Sequence, residues 1–380
     1  MFFTCKKGVL NLSQHLAIIG ASYLQLPLIE RAKEMGYTTH VFAWAAGEVG
    51  ELAADHFYPI SIVEKDQILS VCRDVGICGI CSIASDLAML TVNYVAEAMG
   101  LTGNSMEATA KSTNKYLMRR AFVEHGDPSP RSILVEEHTE LAALGLTYPV
   151  IVKPVDRSGS RGIFKLESFD GLQEAVCSAM DQGFERKALI EEYAEGEEYS
   201  VEYISCRGEH YFLALTKKYT TGAPHFIETG HLEPAPVDDV LLKRIQKIVP
   251  HALNSLGLKN GASHTELKIA LDGTIRLIEI GGRMGGDCIG SDLVRYSTGY
   301  DYVKMVIDVA CGREPDFTQV VEPAPIAIQY VFGPKDVEVF EKIRRETPER
   351  IVRIVDEIRP EKFGGITDSS NRAGCYLYRP

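Results

Sequence analysis

Apolar and polar residues alternate on both sides of Asp272-Gly273, and this is the clearest local pattern in the chain. Alternation with a period of two predicts β-strands. Asp-Gly between two such runs favours a hairpin with a two-residue type I′ turn, which needs positive φ at both positions. That turn would pair Leu271 with Thr274 and would therefore set Glu266 directly opposite Glu279. Opposed side chains share one face, with Cβ atoms about 5 Å apart. The hairpin is thus predicted to carry two adjacent carboxylates on the face away from the core.

Two interpretations of this carboxylate pair are open. Like charges directly opposite each other destabilise a sheet, and a hard cation such as Mg²⁺ would remove the repulsion. Alternatively, the face is solvated and the two carboxylates pair with Lys268 or Arg276. The glycine-rich segment 281–286 follows directly and carries Arg283. It favours the cation, because a backbone without side chains and a guanidinium can both approach an anion.

Short apolar runs and helical spacings alternate through the first hundred residues. Strands are predicted at 16–20, 39–44 and 77–85, and helices follow at 24–36, 64–75 and 87–99. This alternation predicts a parallel sheet covered by helices. One glycine in the first strand-to-helix turn is too few for a GxGxxG fingerprint, so a nicotinamide cofactor is not expected. Asp86 follows the third strand, where it could face a ligand or cap the next helix. Capping is the favoured interpretation.

A second set of elements begins after Gly103. The pattern predicts a helix over 106–124 and a strand over 148–154, followed by the Gly/Ser/Arg-rich loop 156–162. That loop could wrap a phosphate with backbone and hydroxyl donors, or it could be a flexible hairpin tip. Further segments that read as strand or helix are the glutamate-rich 188–204, the strand 209–221, the helices 238–256 and 299–311, and the α/β tail 316–380.

Composition narrows the class of protein. A length of 380 residues allows one to three domains, and a net charge of −12 argues against a nucleic-acid or anionic-membrane surface. Nine cysteines without framework spacing indicate free thiols in a reducing compartment, so a cytoplasmic location is expected. Cys78 and Cys81 read as part of a buried strand rather than as a redox pair. No run of 18 apolar residues is present, so no membrane span is predicted.

The order of the motifs resembles that of the ATP-grasp superfamily over residues 15–315. A lysine lies on a helix, a second ends a strand before a glycine-rich loop, an EEYxxGxE motif follows, and the glutamate hairpin comes last. Within the superfamily the chain is similar to carbamoyl-phosphate-synthetase-like proteins and to dipeptide-forming L-amino-acid ligases. That closer similarity rests on ETGH (228–231), TELK (265–268) and EIGGR (279–283).

The resemblance implies a fold and a nucleotide site. The fold would be α/β with ATP-grasp lobes and an N-terminal Rossmann-like parallel sheet, divided at 1–105, 106–187, 188–315 and 316–380. The ATP phosphates would be contacted by Lys115 and Lys153. The flap that closes over the phosphates would contain Ser158, Gly159, Ser160 and Gly162. The adenine edge would be read by the backbone of an interlobe hinge formed by Glu191, Glu192, Tyr193 and Ala194. Glu198 would accept from ribose hydroxyls.

The resemblance also implies the reacting groups. Glu266 and Glu279 would bind Mg²⁺, with Mn²⁺ as an alternative, and Arg283 would hold a substrate carboxylate or the transferred phosphoryl group. Glu228 and His231 would recognise an amino-acid substrate, the histidine also serving as acid or base. One departure is Gly281, where many relatives carry an asparagine that adds a metal ligand.

The implied reaction forms an acyl phosphate from a carboxylate and ATP, after which an amine attacks to leave an amide, ADP and phosphate. Both substrates would be small molecules, and the resemblance allows a homodimer. Alternatives are a bicarbonate-activating or purine-pathway ligase or carboxylase of the same fold, and an ATP-binding regulatory protein without turnover.

Overall fold

A computed structural model describes residues 14–157, 159, 161–222, 226–364 and 372–380. The N-terminal part forms a four-stranded parallel sheet in the order β3-β2-β1-β4, as the strand–helix alternation predicts. Its elements are β1 Gln14–Ile19, α1 Leu26–Glu34, β2 Tyr37–Phe42, α2 Val49–Ala53, β3 His56–Tyr58, α3 Lys65–Val75, β4 Gly79–Cys81 and α4 Asp86–Met99. No helix in the described part of the chain is both long enough and apolar enough to cross a membrane.

Alternate residues of β1 pack into two different cores. Ala17 and Ile19 face α3 and α4, whereas Leu16 and Ile18 face α1. The second core also contains α10 (Tyr302–Ala310), a helix from the far end of the chain. A parallel strand must be covered on both faces. The C-terminal half therefore completes the N-terminal layer, which the local sequence pattern does not indicate.

The predicted helix over 106–124 is wrong in one respect, because it is two helices. α5 (Met106–Thr113) ends before Asn114, which has an extended backbone (φ −111°, ψ 114°), and α6 (Lys115–His125) begins directly after it. The Asn114 side chain accepts hydrogen bonds from the backbone N–H groups of Tyr116 and Leu117. An asparagine cap of this kind starts a new helix. Because of this break, Lys115 is not part of α5 and is the first residue of α6.

The smaller antiparallel sheet has the order β5-β8-β6-β7 and is covered by α7. Its elements are β5 Ser132–Val135, β6 Val150–Pro154, β7 Phe164–Leu166, α7 Leu172–Gln182 and β8 Ala188–Glu192. The loop 156–162 connects β6 to β7. Ser158 and Ser160 of that loop lie outside the described residues.

The larger sheet has the order β13-β12-β9-β10-β11-β14-β16-β15, with α8 against its apolar face. Its elements and associated helices are β9 Glu197–Cys206, β10 Glu209–Thr220, β11 Glu228–Glu233, α8 Asp239–Leu256, β12 Gly261–Ile269, β13 Ile275–Gly281, α9 Val294–Thr298, β14 Ile326–Tyr330, α11 Pro334–Glu346, β15 Ile351–Asp356 and β16 Cys375–Tyr378. The strands of segment 316–380 thus extend the same sheet as the carboxylate hairpin.

The hairpin of β12 and β13 confirms the pairing of Glu266 with Glu279, but not the predicted turn. The Ala270 N–H donates to the Thr274 carbonyl at 2.9 Å, so the loop has three residues, and Leu271 is fully exposed instead of packing on the core face. The longer loop shifts the register near the turn by one residue. A β-bulge that inserts Ile278 shifts it back before the glutamates are reached.

Candidate active site

The structure gathers most of the predicted site residues around one cleft of about 1350 Å³ that is open to solvent. Residues from the N-terminal part of the chain, from the smaller sheet and its loop, and from the larger sheet border it. Those that line it include Asp86, Lys115, Lys153, Arg157, Gly159, Arg161, Glu198, Lys218, Glu228, His231, His264, Glu266, Glu279, Arg283 and Asp287. Gly162, Glu191, Glu192, Tyr193 and Ala194 were predicted for the nucleotide site and are not part of this lining.

The carboxylate pair is neutralised by lysines from distant elements. Glu279 Oε1 lies 2.8 Å from Lys115 Nζ, and Glu266 Oε1 lies 2.7 Å from Lys218 Nζ. Pairing with Lys268 or Arg276 of the same hairpin is therefore wrong. Lys218 and the His264 side chain hold the pKa of Glu266 well below its usual value, although burial alone would raise it.

Lys115 connects the loop 156–162 to the hairpin. Its backbone N–H donates to the Val155 carbonyl at 2.8 Å, and its Nζ donates to the Arg157 carbonyl at 2.7 Å as well as to Glu279. The guanidinium of Arg157 packs over the Phe184 ring, 4.5 Å from its centroid. The arginines and lysines at this end of the cleft supply the local positive charge that an acidic chain needs to bind a polyphosphate.

Lys153 belongs to a buried ion triad behind the cleft. The Glu191 carboxylate lies 2.5 Å from Lys153 Nζ and 2.7 Å from Arg119 Nε, and all three residues are less than 5% exposed. Arg119 also donates to the carbonyl of Ile278, the bulge residue, at 2.6 Å. Burial, with Arg119 and Lys115 nearby, lowers the pKa of Lys153 in spite of Glu191. The Glu191 side chain thus holds two cations, one of which lines the cleft.

In the EEYxxGxE motif, Gly196 is required because two strands approach each other closely at this position. A Cβ at Gly196 would lie 2.3 Å from the Ile269 carbonyl oxygen, and its φ is +115°. The backbone N–H groups of Glu192 and Tyr193 already donate to the carbonyls of Arg131 and Pro149. The Nζ atoms of Lys165 and Lys268 lie 4.3 Å and 5.0 Å from the centroid of the Tyr193 ring.

Lys218 was not predicted from the sequence, although it lies among four site residues. Its buried Nζ is 2.7 Å from Glu266, 2.9 Å from Glu198 and 3.8 Å from Glu228. Burial would lower the pKa of Lys218, but the three carboxylates raise it well above its usual value. Glu198 and His231 are its direct cross-strand partners, so only the strand pairing reveals the cluster.

His264 and Glu202 form a second buried pair that the sequence did not reveal. His264 Nδ1 contacts one oxygen of Glu202, and the other oxygen accepts from the Gly285 N–H at 3.0 Å. His264 Nε2 lies 3.5 Å from Glu266 Oε1. Burial alone would lower the pKa of His264, but Glu202 raises it to about 8. The pair therefore connects the glycine-rich loop to the carboxylate hairpin.

Glu228 and His231 lie together at the other end of the cleft. Arg372 donates to Glu228 and to Asp287, both at 2.8 Å, and stacks 3.7 Å from the centroid of Tyr330. His231 is buried, and neither ring nitrogen has a hydrogen-bond partner among the described residues. Burial, with Lys218 nearby, lowers the pKa of His231 to about 3, so the imidazole is neutral at pH 7.

Asp86 is not the cap of α4, so the favoured interpretation of this residue was wrong. Ser85 occupies the N-cap position, and its hydroxyl accepts from the Ala88 N–H. Asp86 is the first helical residue and pairs with Arg283 through two hydrogen bonds of 2.9 Å. Arg283 holds the pKa of Asp86 below its usual value, although burial alone would raise it.

Comparisons with known proteins agree with this geometry. Residues 146–292 match the family model of the ATP-grasp domain. The matched segment is 147 of the 380 residues. The chain is 27% identical to dapdiamide A synthase of Enterobacter agglomerans over 302 residues, 67% of this chain and 70% of that one. It is 26% identical to alanine–anticapsin ligase of Bacillus subtilis over 290 residues, 69% of this chain but 60% of the relative.

A solved structure shows the same fold over almost the whole chain. The L-amino acid ligase from Bacillus licheniformis superposes with a TM-score of 0.81, covering 96% of this chain and 94% of that one at 21% identity. The mixed fold, with its N-terminal parallel sheet and two antiparallel sheets, was predicted from the resemblance and is confirmed.

Proposed function

We propose that this protein is an ATP-dependent carboxylate–amine ligase that activates a carboxylate, in particular that of an amino acid, as an acyl phosphate. One observation carries the proposal. A cation-rich end with Lys115, Lys153 and Arg157 and a mixed-charge end with Glu228 and His231 border the same cleft. The opposed carboxylates of the hairpin lie in that same cleft. Such an arrangement suits a polyphosphate, a divalent cation and a small polar substrate held side by side.

The hairpin residues fit a magnesium ion. Glu266 and Glu279 offer carboxylate oxygens from directly opposed positions, and oxygen is the donor that Mg²⁺ prefers. In the described part of the chain no group of three or more His, Cys, Asp or Glu side chains could hold a metal ion. One or two protein carboxylates, together with phosphate oxygens of the substrate, are the usual ligands of such a site. When bound, the ion would neutralise charge on the terminal phosphates.

The chain's own residues then bind, orient and neutralise. Lys115 and Lys153 would hold the phosphates, Glu198 the ribose, and the hinge 191–194 the adenine. Arg283 lies beside the hairpin and would stabilise negative charge that develops on the transferred phosphoryl group. This placement follows EIGGR (279–283), whose arginine closes the motif and lines the cleft.

Neutral His231 suits the second half-reaction as a hydrogen-bond acceptor. Neither of its ring nitrogens has a partner among the described residues, so the imidazole can accept a hydrogen bond from the attacking amine and orient it, while its low pKa keeps the ring neutral. Glu228, oriented by Arg372, would recognise the ammonium group of an amino-acid substrate. Charge complementarity and the position of ETGH (228–231) on β11 support this assignment.

Hydroxylamine trapping tests the proposal. The protein is incubated with MgATP, hydroxylamine and pools of single amino acids, and hydroxamate and phosphate are measured together. We expect hydroxamate in proportion to phosphate with at least one amino acid. ATP binding without carboxylate-dependent phosphate release would contradict the ligase and favour a non-catalytic ATP-binding protein. Phosphate release that depends on bicarbonate alone would favour a bicarbonate-activating enzyme.

A further inference from the structure

The ion pair between Asp86 and Arg283 joins the N-terminal parallel sheet to the glycine-rich loop of the cleft. Arg283 Nε lies 2.9 Å from Asp86 Oδ1, and Arg283 Nη2 lies 2.9 Å from Asp86 Oδ2. Each side chain is 15% exposed. Two parallel N–H···O bonds fix the plane and the direction of a guanidinium, which a single contact does not. The pair is therefore an oriented contact inside the cleft.

Asp86 is available for this contact because Ser85 takes over the capping of α4. A carboxylate in the first turn of a helix is also favoured by the positive end of the helix dipole. The position of Asp86 at the carboxyl end of the parallel sheet therefore serves the cleft and not the helix.

Gly281 provides the space for the pair. A Cβ at this position would lie 2.8 Å from Asp86 Oδ1 and 3.2 Å from both Cζ and Nε of Arg283. Its φ lies outside the positive range that favours glycine, so space and not backbone conformation excludes a larger residue. An asparagine here would occupy the volume of the pair. The glycine at position 281 and the carboxylate of Asp86 are thus one structural feature.

The third nitrogen of the Arg283 guanidinium, Nη1, does not bind Asp86. Asp86 binds Nε and Nη2, whereas Nη1 makes one long contact of 3.4 Å, to the Met284 carbonyl. Arg283 borders the same cleft as Glu279, four residues before it. A guanidinium held by one edge can offer its other donor to an anion without first losing rotamer freedom.

We propose that Asp86 is a positioning residue that holds Arg283 by one edge so that Nη1 meets the reacting phosphoryl or carboxylate group. The role of Arg283 in this statement rests on the proposed ligase function. In consequence, the N-terminal parallel sheet contributes to catalysis through a side chain that does not itself contact the substrate, and Gly281 is required to leave that side chain in place.

Steady-state kinetics of three variants test the role. Asp86→Asn keeps the shape of the side chain but removes its charge, Gly281→Ala keeps both charges but takes their space, and Arg283→Lys removes the fork. We expect Asp86→Asn and Gly281→Ala to lower kcat by about 10- to 100-fold, the scale of a small misplacement of a catalytic group. The KM for MgATP should change less than about twofold, because neither residue is assigned to the nucleotide. A merely structural role would not separate kcat from KM in this way.

Matched controls and a coupling measurement complete the design. Asp74→Asn, at an exposed carboxylate of α3, and Gly333→Ala, where an added Cβ meets nothing within 4 Å, should keep wild-type kcat. The double variant Asp86→Asn/Arg283→Lys should be no slower than Arg283→Lys alone, because Asp86 acts only through Arg283.

Two results would overturn the role of Asp86 while leaving the ligase intact. One is wild-type kcat in Asp86→Asn, and the other is a fully additive loss in the double variant. If Asp86→Asn fails to fold, wild-type kcat in the folded Gly281→Ala variant overturns the role in the same way. By contrast, a wild-type protein that releases no phosphate with any carboxylate overturns the proposed function itself.

Discussion

Replacing Glu191 with glutamine perturbs the buried ion triad without changing the shape of the side chain. Glu191 is 3% exposed and is the carboxylate that holds both Lys153, at 2.5 Å, and Arg119, at 2.7 Å. Breaking a buried pair by removing one partner costs about 3–5 kcal/mol, because a charge remains buried without compensation. We therefore expect the free energy of unfolding of Glu191→Gln to fall by about that amount. Urea denaturation measures it.

The same substitution should change how nucleotide binding depends on pH. Burial already lowers the pKa of Lys153, and Glu191 opposes that shift, so its removal lowers the pKa further. Without Glu191 the buried ammonium has no counter-charge, so a larger fraction of Lys153 would be neutral at alkaline pH. Binding of MgADP would have to restore the proton. The dissociation constant of the variant should therefore decrease as the pH falls from 9 to 7.5, with uptake of up to about one proton per site.

Calorimetry in buffers of different ionisation enthalpy measures the proton uptake directly. Glu195→Gln, at an exposed glutamate of the same segment, serves as the control and should keep wild-type stability and wild-type proton uptake. A Glu191→Gln protein that unfolds at the wild-type urea concentration, or one that binds MgADP with the same pH dependence as the wild type, would contradict this role of Glu191.

Three further predictions concern single residues. Glu279→Ala should lower kcat by at least about 100-fold, since a bound metal ion contributes several kcal/mol, and fluorescence-monitored unfolding should remain cooperative; retained Mg²⁺-dependent turnover would contradict the metal assignment. His231→Gln should lower the rate of amide formation or alter substrate preference with little effect on MgATP affinity, as product analysis and nucleotide titration would show; a defect in MgATP affinity alone would contradict its placement. Burial, with His56 and His15 nearby, lowers the pKa of His40 to about 4. As the pH falls, His40 therefore binds a proton in the unfolded protein before it does so in the folded protein. The free energy of unfolding should fall as the pH drops from 6.5 towards 4, by roughly 2 kcal/mol at pH 5. His40→Asn should flatten this decline in urea melts, and an unchanged slope would count against the assignment.

Local patterns in the sequence determined the N-terminal parallel sheet and the facing carboxylates of the hairpin, whereas the antiparallel lobes and the roles of the cleft residues were expected from the family resemblance. Strand–helix alternation was sufficient to predict the parallel sheet. The strands of such a sheet are buried on both faces, so in the sequence they are short apolar runs between amphipathic helices. Alternation around Asp272-Gly273 predicted that Glu266 faces Glu279. This pairing is found only because the register shift caused by the three-residue loop is reversed by the bulge at Ile278. A period of two indicates which face a side chain occupies but not where a bulge is inserted.

The partners of the charged residues were decided by tertiary structure alone. Lys218 lies beside Glu198 and His231 through strand pairing, and Asp86 reaches Arg283 from a position 197 residues earlier in the chain. Ion pairing depends on distances in space, which a sequence pattern does not encode beyond the next turn or the next strand. The sequence by itself therefore indicated which residue types the cleft would contain. The packing of the N-terminal sheet against the glycine-rich loop decided which charge neutralises which, and why residue 281 is a glycine.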